Sequence, residues 1–205
     1  MADIDPKSVM ELRRRTGLGM MECKKALEAT AGDIAKAEDH LRKSGEKVAA
    51  SKAGRAVKEG RIGSYIHHNG KLGVLVEVNC EDDFAARNEN FTEFLKKLAM
   101  HIAAAVPVPV AVTREQVPAA LVEKEREIAL GQLDQDPKNA KKPADIKTKI
   151  VEGKINAFYK DRVLLEQAWI HDPNQTVDQV LKALIQKIGQ NMVVRRFARL
   201  DVGAE

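Results

Sequence analysis

Aromatic residues are scarce in this 205-residue chain: five Phe, two Tyr and one Trp, 4% of the total. So few rings argue against a platform of stacked bases of the kind single-stranded nucleic acids need. Cysteine is scarcer. Cys23 and Cys80 are too few for a disulfide framework, and neither belongs to a CxxC pair. No apolar run approaches membrane-spanning length, and the acidic start Met1-Ala2-Asp3-Ile4-Asp5-Pro6 lacks the basic-then-apolar pattern of a secretory leader. A reducing cytoplasm is therefore expected. An excess of one charge is also missing, since 34 Lys and Arg face 30 Asp and Glu, net +4, with the signs interleaved. A dedicated phosphate-backbone binder would concentrate its base on one face. The chain has no GxxxxGK[ST] loop, no HExxH and no GxSxG, and its few serines have no evident His and Asp partners. An enzyme is not expected, and neither is a cofactor.

What is present is enough apolar residue, 44% of the chain, to bury a real core. The first 45 residues read as a three-helix unit. Asp5 or Pro6 opens one helix through Arg14, Thr16-Gly17-Leu18-Gly19 breaks it, and a second runs from Met20 to about Thr30. A third opens at Asp33 and ends at Ser44-Gly45. Residues 46–59 are small and basic with little to bury, a partly helical connector. From Gly60 the period changes from 3.6 to 2. Residues Arg61 to His68 and Lys71 to Cys80 flank Asn69-Gly70, a type I′ hairpin signal that pairs His68 with Lys71 and sets Tyr65 opposite Val74. The core face of this hairpin carries Tyr65, His67, Leu72, Val74, Val76, Val78 and Cys80.

A long amphipathic helix follows, marked by Phe91, Leu95, Leu98, Ile102 and Ala105 and ended by Pro107 and Pro109. Glu115 to about Leu133 and Ala144 to about Tyr159 form an exposed helical hairpin joined by the polar stretch Asp134 to Pro143. Val163 to Ile170 is strand or loop, Val177 to Ile188 is helical with Thr176 as its cap, and Asn191 to Val202 is a last strand that can join the hairpin. The expected class is α+β: a helical unit over 1–45, a linker over 46–59, and a core over 60–205 with a small antiparallel sheet.

The run Asn79-Cys80-Glu81-Asp82-Asp83-Phe84 places three carboxylates and one ring where a strand meets a helix. With His67 and His68 the acids resemble the raw material of a metal site. Consecutive carboxylates point in different directions, however, and more commonly cap a helix or lie in solvent. On local chemistry, Asp82 or Asp83 caps the next turn and Phe84 either folds back under it or stands out as a plug. Met20-Met21 leaves a similar choice between core and contact. The basic runs Arg13-Arg14-Arg15, Lys24-Lys25 and Arg195-Arg196 do not line one face. A translation-associated RNA-binding protein is the alternative they support, and a metal-dependent hydrolase comes after it.

Three stretches carry a family likeness. Glu11-Leu12-Arg13-Arg14-Arg15-Thr16-Gly17-Leu18-Gly19-Met20-Met21-Glu22-Cys23-Lys24-Lys25-Ala26-Leu27 resembles the N-terminal signature of elongation factor Ts. Asn79 to Asn88 resembles the second signature. Lys187-Ile188-Gly189-Gln190-Asn191, with Val193-Val194-Arg195-Arg196-Phe197, resembles the closing helix-to-strand segment. The resemblance implies a guanine nucleotide exchange factor for elongation factor Tu, with a ubiquitin-associated-like helical unit. It implies partner contacts by Arg13, Met20, Met21 and Lys24, a wedge made of Asp83 and Phe84, and a phosphate-loop-side contact by Ile188 and Gly189. His67 resembles a contact to another partner domain. The family commonly has Thr where this chain has Asp82. The chain is similar to the short form with a single core, which implies a homodimer that supplies the wedge and the His contact from two subunits. Ala198 in the last strand offers no thiol, so that dimer is non-covalent.

Overall fold

The break at Thr16-Gly17 and the acid at Asp33 act in the structure as their chemistry requires. The computed structural model describes residues 4–136 and 142–204. Helix α1 spans Pro6–Thr16, α2 Met20–Ala29 and α3 Ile34–Lys52. Asp5 caps α1 by accepting the Lys7 N–H at 3.0 Å, with Pro6 in the first turn where no N–H is needed. Gly17 ends it in the left-handed conformation, φ 69°, and returns its N–H to the Arg13 carbonyl at 2.7 Å. Asp33 caps α3 through the Lys36 N–H at 3.1 Å. These helices enclose a core of Val9, Leu12, Leu18, Cys23, Ala26, Leu27, Ala37 and Leu41.

Helix α3 does not stop at Ser44-Gly45. It continues to Lys52, so much of the expected connector is helix. Gly45 is buried, and a Cβ there would come within 2.5 Å of Gln186 Oε1. A glycine inside a helix costs about 1 kcal/mol relative to alanine. Here it permits a close approach, and Ala49, one turn on, is buried as well.

The sheet orders β1 (Glu59–Ile66), β2 (Leu72–Cys80) and β5 (Met192–Asp201) with β2 in the centre. The last strand joins the hairpin as expected. The His67 N–H donates to the Leu72 carbonyl at 2.8 Å, which keeps the expected register. The turn differs. Asn69 stays at negative φ, with only Gly70 of the pair positive at 67°, so the connection is not type I′. Instead Asn69 Oδ1 accepts the Lys71 N–H at 2.9 Å, the Gly70 N–H returns to the His67 carbonyl at 2.8 Å, and the loop covers four residues. Val74, Val76, Val78 and Cys80 are buried, as their alternation predicts. In β5 the alternation slips at Arg195-Arg196, where both side chains are exposed.

Helix α4 (Asp83–Arg87) is one short turn, followed by α5 (Glu89–Ala104), which buries Phe91, Phe94, Leu95, Leu98 and Ile102. Helices α6 (Ala119–Gln135) and α7 (Ala144–Arg162) pack through Ala129, Leu133, Val151 and Ile155, the helical hairpin the sequence predicts. Part of its joining stretch, 137–141, lies outside the described residues. Val163 to Ile170 resolves into a 3-10 turn at Leu164–Glu166 and the short β3 (Ala168–Trp169). This strand pairs antiparallel with β4 (Asp172–Thr176), which the sequence did not reveal. Helix α8 spans Val177–Ile188.

The chain divides into two compact units. The first comprises Met1–Ile62, Glu77–Leu95 and Asp178–Val194, and the second Gly63–Val76, Lys96–Val177 and Arg195–Glu205. No helix among the described residues is long and apolar enough to cross a membrane.

Candidate partner-binding site

Strand β2 delivers its last residue, Cys80, into the core and the next four into a turn. Asp82 opens α4: its Oδ1 accepts the Ala85 N–H at 2.9 Å, and its Oδ2 accepts an N–H of Gln190 Nε2 at 2.6 Å. The backbone N–H of Ala85 and then the Gln190 amide hold the Asp82 carboxyl below its ordinary range. Beneath it the Cys80 thiol donates to the Asp82 carbonyl at 3.1 Å. Burial, and after it the Asp82 charge, push that thiol up, so it stays protonated and serves as a donor. The capping half of the local reading therefore holds. Phe84 does not fold under: it is 87% exposed, while Ala85 and Ala86 turn inward in its place. Asp83 is also exposed and pairs with Arg87 one turn on at 2.6 Å.

The end of α8 runs alongside this turn. Gly189 closes the helix at φ 80°, returning its N–H to the Ile185 carbonyl at 2.8 Å, and Lys52 Nζ donates to the Gly189 carbonyl at 2.6 Å. The next residues reach the acids: Gln190 to Asp82, and the Asn191 N–H to Glu81 Oε1 at 2.5 Å. Asn191 Nδ2 donates in turn to the Arg55 carbonyl at 2.8 Å. Ile188 is half-buried and Gly189 exposed. The second and closing sequence signatures thus form a single hydrogen-bonded structure. The same strip touches the helical unit, since a Cβ on Gly17 would stand 2.7 Å from Lys187 Nζ.

On that helical unit, Met20 and Met21 are both at the surface, 47% and 65% exposed, where the sequence left one of them open to burial. Lys24 is exposed one turn away, 3.9 Å from Glu28. The three consecutive arginines differ sharply. Glu11 binds Arg14 at 3.0 Å and Arg15 at 2.7 Å, and Arg15 also reaches Glu38 at 3.4 Å. Arg14 and then Arg15 pull the Glu11 carboxyl down to about 2. Arg13 is exposed and paired to no carboxylate among the described residues, which leaves its guanidinium available.

The exception in location is His67, which belongs to the second unit. Its Nδ1 lies 3.0 Å from the Tyr65 hydroxyl, and its ring centre is 4.2 Å from that of His68. Among the described residues no three His, Cys, Asp or Glu side chains are grouped as a metal site requires. Sequence reasoning passed over Lys52, Arg55 and the side chain of Gln190, which fix the acidic turn and the end of α8. Only the quoted run Lys187 to Asn191 pointed toward them.

An exposed ring on a braced turn, two surface methionines and an arginine with no carboxylate partner among the described residues thus lie on the surface of the first unit. Comparison with known proteins shows the family. The profile of the family described as "Elongation factor TS" matches residues 18–204. An elongation factor Ts of Geobacter sulfurreducens is 54% identical over 200 residues, 98% of this chain and 90% of that one. One from Fervidobacterium nodosum is 52% identical over 201 residues, 98% of this chain and 99% of its own. The chain belongs to the elongation factor Ts family.

Proposed function

We propose that this protein is the guanine nucleotide exchange factor of elongation factor Tu, acting in the cytoplasm during translation elongation without making or breaking a covalent bond. The observation that carries this is the exposure of Phe84 on a turn whose backbone is fixed from three sides. A large ring held in water at a defined position is a contact waiting for a pocket.

Arg13, Met20, Met21 and Lys24 anchor the helical unit on the GTPase. Asp83 and Phe84 form the wedge, with Phe84 entering between partner helices and disturbing the GTPase's Mg²⁺ contacts. Ile188 and Gly189 press on the phosphate-loop side, and His67 meets another partner domain. Speeding GDP release about 10⁴-fold requires roughly 5.5 kcal/mol of preference for the nucleotide-free partner. Burying one Phe contributes about 1.5–3 kcal/mol. Phe84 alone falls short. An anchor that binds both partner states equally adds affinity but no exchange, so the wedge and the Gly189 segment together must favour the empty state.

The functional form is a non-covalent homodimer. In the second unit, the Val202 N–H donates to the Lys71 carbonyl at 2.8 Å, and His67 donates to Leu72 at the same distance. These registers line up Ile66, Leu75, Leu200 and Val202 on one outer sheet face, all of them exposed. A second copy of the chain would cover that apolar face.

The test is release of labelled GDP from purified elongation factor Tu by catalytic amounts of this protein. An unchanged rate excludes the exchange function. Retention of nucleic acid with a steep salt dependence would favour RNA binding instead.

A further inference from the structure

Asp82 divides its two carboxylate oxygens between two elements. Oδ1 accepts the Ala85 N–H at 2.9 Å within the turn that carries Phe84, and Oδ2 accepts from Gln190 Nε2 at 2.6 Å, one residue past Gly189. We propose that Asp82 is a positioning residue that couples the Phe84 turn to the Gly189 segment, so that the two meet a partner as one rigid piece. The proposal rests on the exchange function above and deepens it.

The chemistry explains why an aspartate suits the place. A hydroxyl side chain has one oxygen, so capping the Ala85 N–H leaves no second oxygen to accept the Gln190 amide. A carboxylate has two oxygens about 2.2 Å apart, and both bonds to it are strengthened by charge. Gln190 orients accordingly. Its Oε1 is buried and has no hydrogen-bond partner among the described residues, while its Nε2 faces the carboxylate. An acceptor left unpaired is tolerated so that the donor can meet the charge. The neighbouring pair repeats the arrangement, with Glu81 taking the Asn191 N–H at 2.5 Å, and Lys52 fixes the Gly189 carbonyl at 2.6 Å. The Asp82–Gln190 bond is the link nearest Phe84 on the way to Gly189, with the Glu81–Asn191 bond beside it. Because exchange needs the wedge and the Gly189 contact to engage the empty partner together, ordering them beforehand removes a cost from the transition state. It need not alter the affinity of the first encounter.

Two variants isolate the coupling. Asp82→Ser keeps an oxygen for the cap and loses Gln190, and Gln190→Met keeps volume and loses the donor. In steady-state release of labelled GDP from elongation factor Tu, each should lower kcat about tenfold with KM within about twofold, and the double variant should be no worse than either single. Asp82→Asn should restore kcat to within about twofold, because its Oδ1 caps and its Nδ2 can donate to Gln190 Oε1 once that amide turns over. Singles with wild-type kcat, or losses that multiply in the double variant, overturn the coupling while leaving exchange standing. A second measurement does not depend on GDP at all. In the free protein, Gln190→Met should speed hydrogen exchange at the Phe84 and Ala85 amides, and unchanged protection there overturns the proposal whether or not the protein releases GDP.

Discussion

Glu81 and Asn191 are 110 positions apart, and a 2.5 Å hydrogen bond joins the carboxylate of one to the backbone N–H of the other. That bond ties the end of the central strand to the start of the last one. It also fixes the base of the turn from which Phe84 projects, so the ring contributes little to holding its own turn in place.

Phe84→Ala should therefore separate function from stability. Removing a ring that is 87% exposed should leave the melting temperature within about 1 °C. Losing about 1.5–3 kcal/mol of contact with the empty partner should lower GDP release by roughly 10- to 150-fold. Stopped-flow release and a thermal melt on the same preparation check both. A collapse of the melting temperature with release intact would mean that the ring is a structural residue.

Gly60 makes a demand of the opposite kind. It sits at φ 155°, and a Cβ there would fall inside contact with the Val78 carbonyl oxygen and stand 2.8 Å from the Asn79 Cα. Backbone cannot yield as a flexible side chain can. Gly60→Ala should cost about 2–3 kcal/mol and lower the melting temperature by roughly 5–10 °C. Gly73→Ala, with nothing within 4 Å of its Cβ and no positive φ, should be nearly neutral by comparison. Equal melts for the two variants would contradict this account.

Acid should weaken the second unit through His101. The ring is 1% exposed, stacks on Trp169 with centroids 5.2 Å apart, and lies 3.1 Å from Gln167 Oε1 through Nε2. The Ile170 N–H donates to Nδ1 at 3.3 Å, which requires that nitrogen to be unprotonated. Burial first, with a smaller contribution from His171, lowers the His101 pKa, while Gln167 opposes the shift. The unfolded chain thus binds a proton that the folded one resists. The contribution is complete above about pH 6.5 and is lost as pH falls below it. Denaturant unfolding followed by the emission of Trp169, the only Trp in the chain, should show stability falling from pH 7.5 to 5. His101→Phe should flatten that slope while lowering stability at every pH, because Gln167 and the Ile170 N–H lose a partner.

Charge on the outer sheet face should keep two copies apart. Leu75 is exposed in the central strand, so Leu75→Lys adds no strain to the monomer. Light scattering across a concentration range should give a dimer for the wild-type chain and half that mass for Leu75→Lys. A wild-type chain that is monomeric at all concentrations would exclude the dimer.

Much of the fold was legible residue by residue. Asp5, Gly17 and Asp33 announce helix ends because caps and left-handed glycines act within four residues of themselves. The alternation of Val74, Val76 and Val78 fixes a strand face for the same local reason. Where the prediction missed, a distant partner decided. Gly45 reads as a helix stop until Gln186 is seen to need the space. The short β3–β4 pair has too few residues to show a period, and nothing beside His101 in the chain announces the Trp169 and Gln167 that meet it in the fold.

The sequence by itself determined the α+β class, the hairpin register, the helix caps and, through three separated signatures, the family. All of these depend on chemistry carried within a few neighbouring residues or on the literal order of a motif. Only the tertiary structure decided that Phe84 faces water, that Arg13 rather than Arg14 or Arg15 is left without a carboxylate partner among the described residues, and that Asp82 grips Gln190. Each of those outcomes is a competition for a partner between groups brought together by folding. A side chain's neighbours across space, unlike its neighbours along the chain, do not exist until the core has closed.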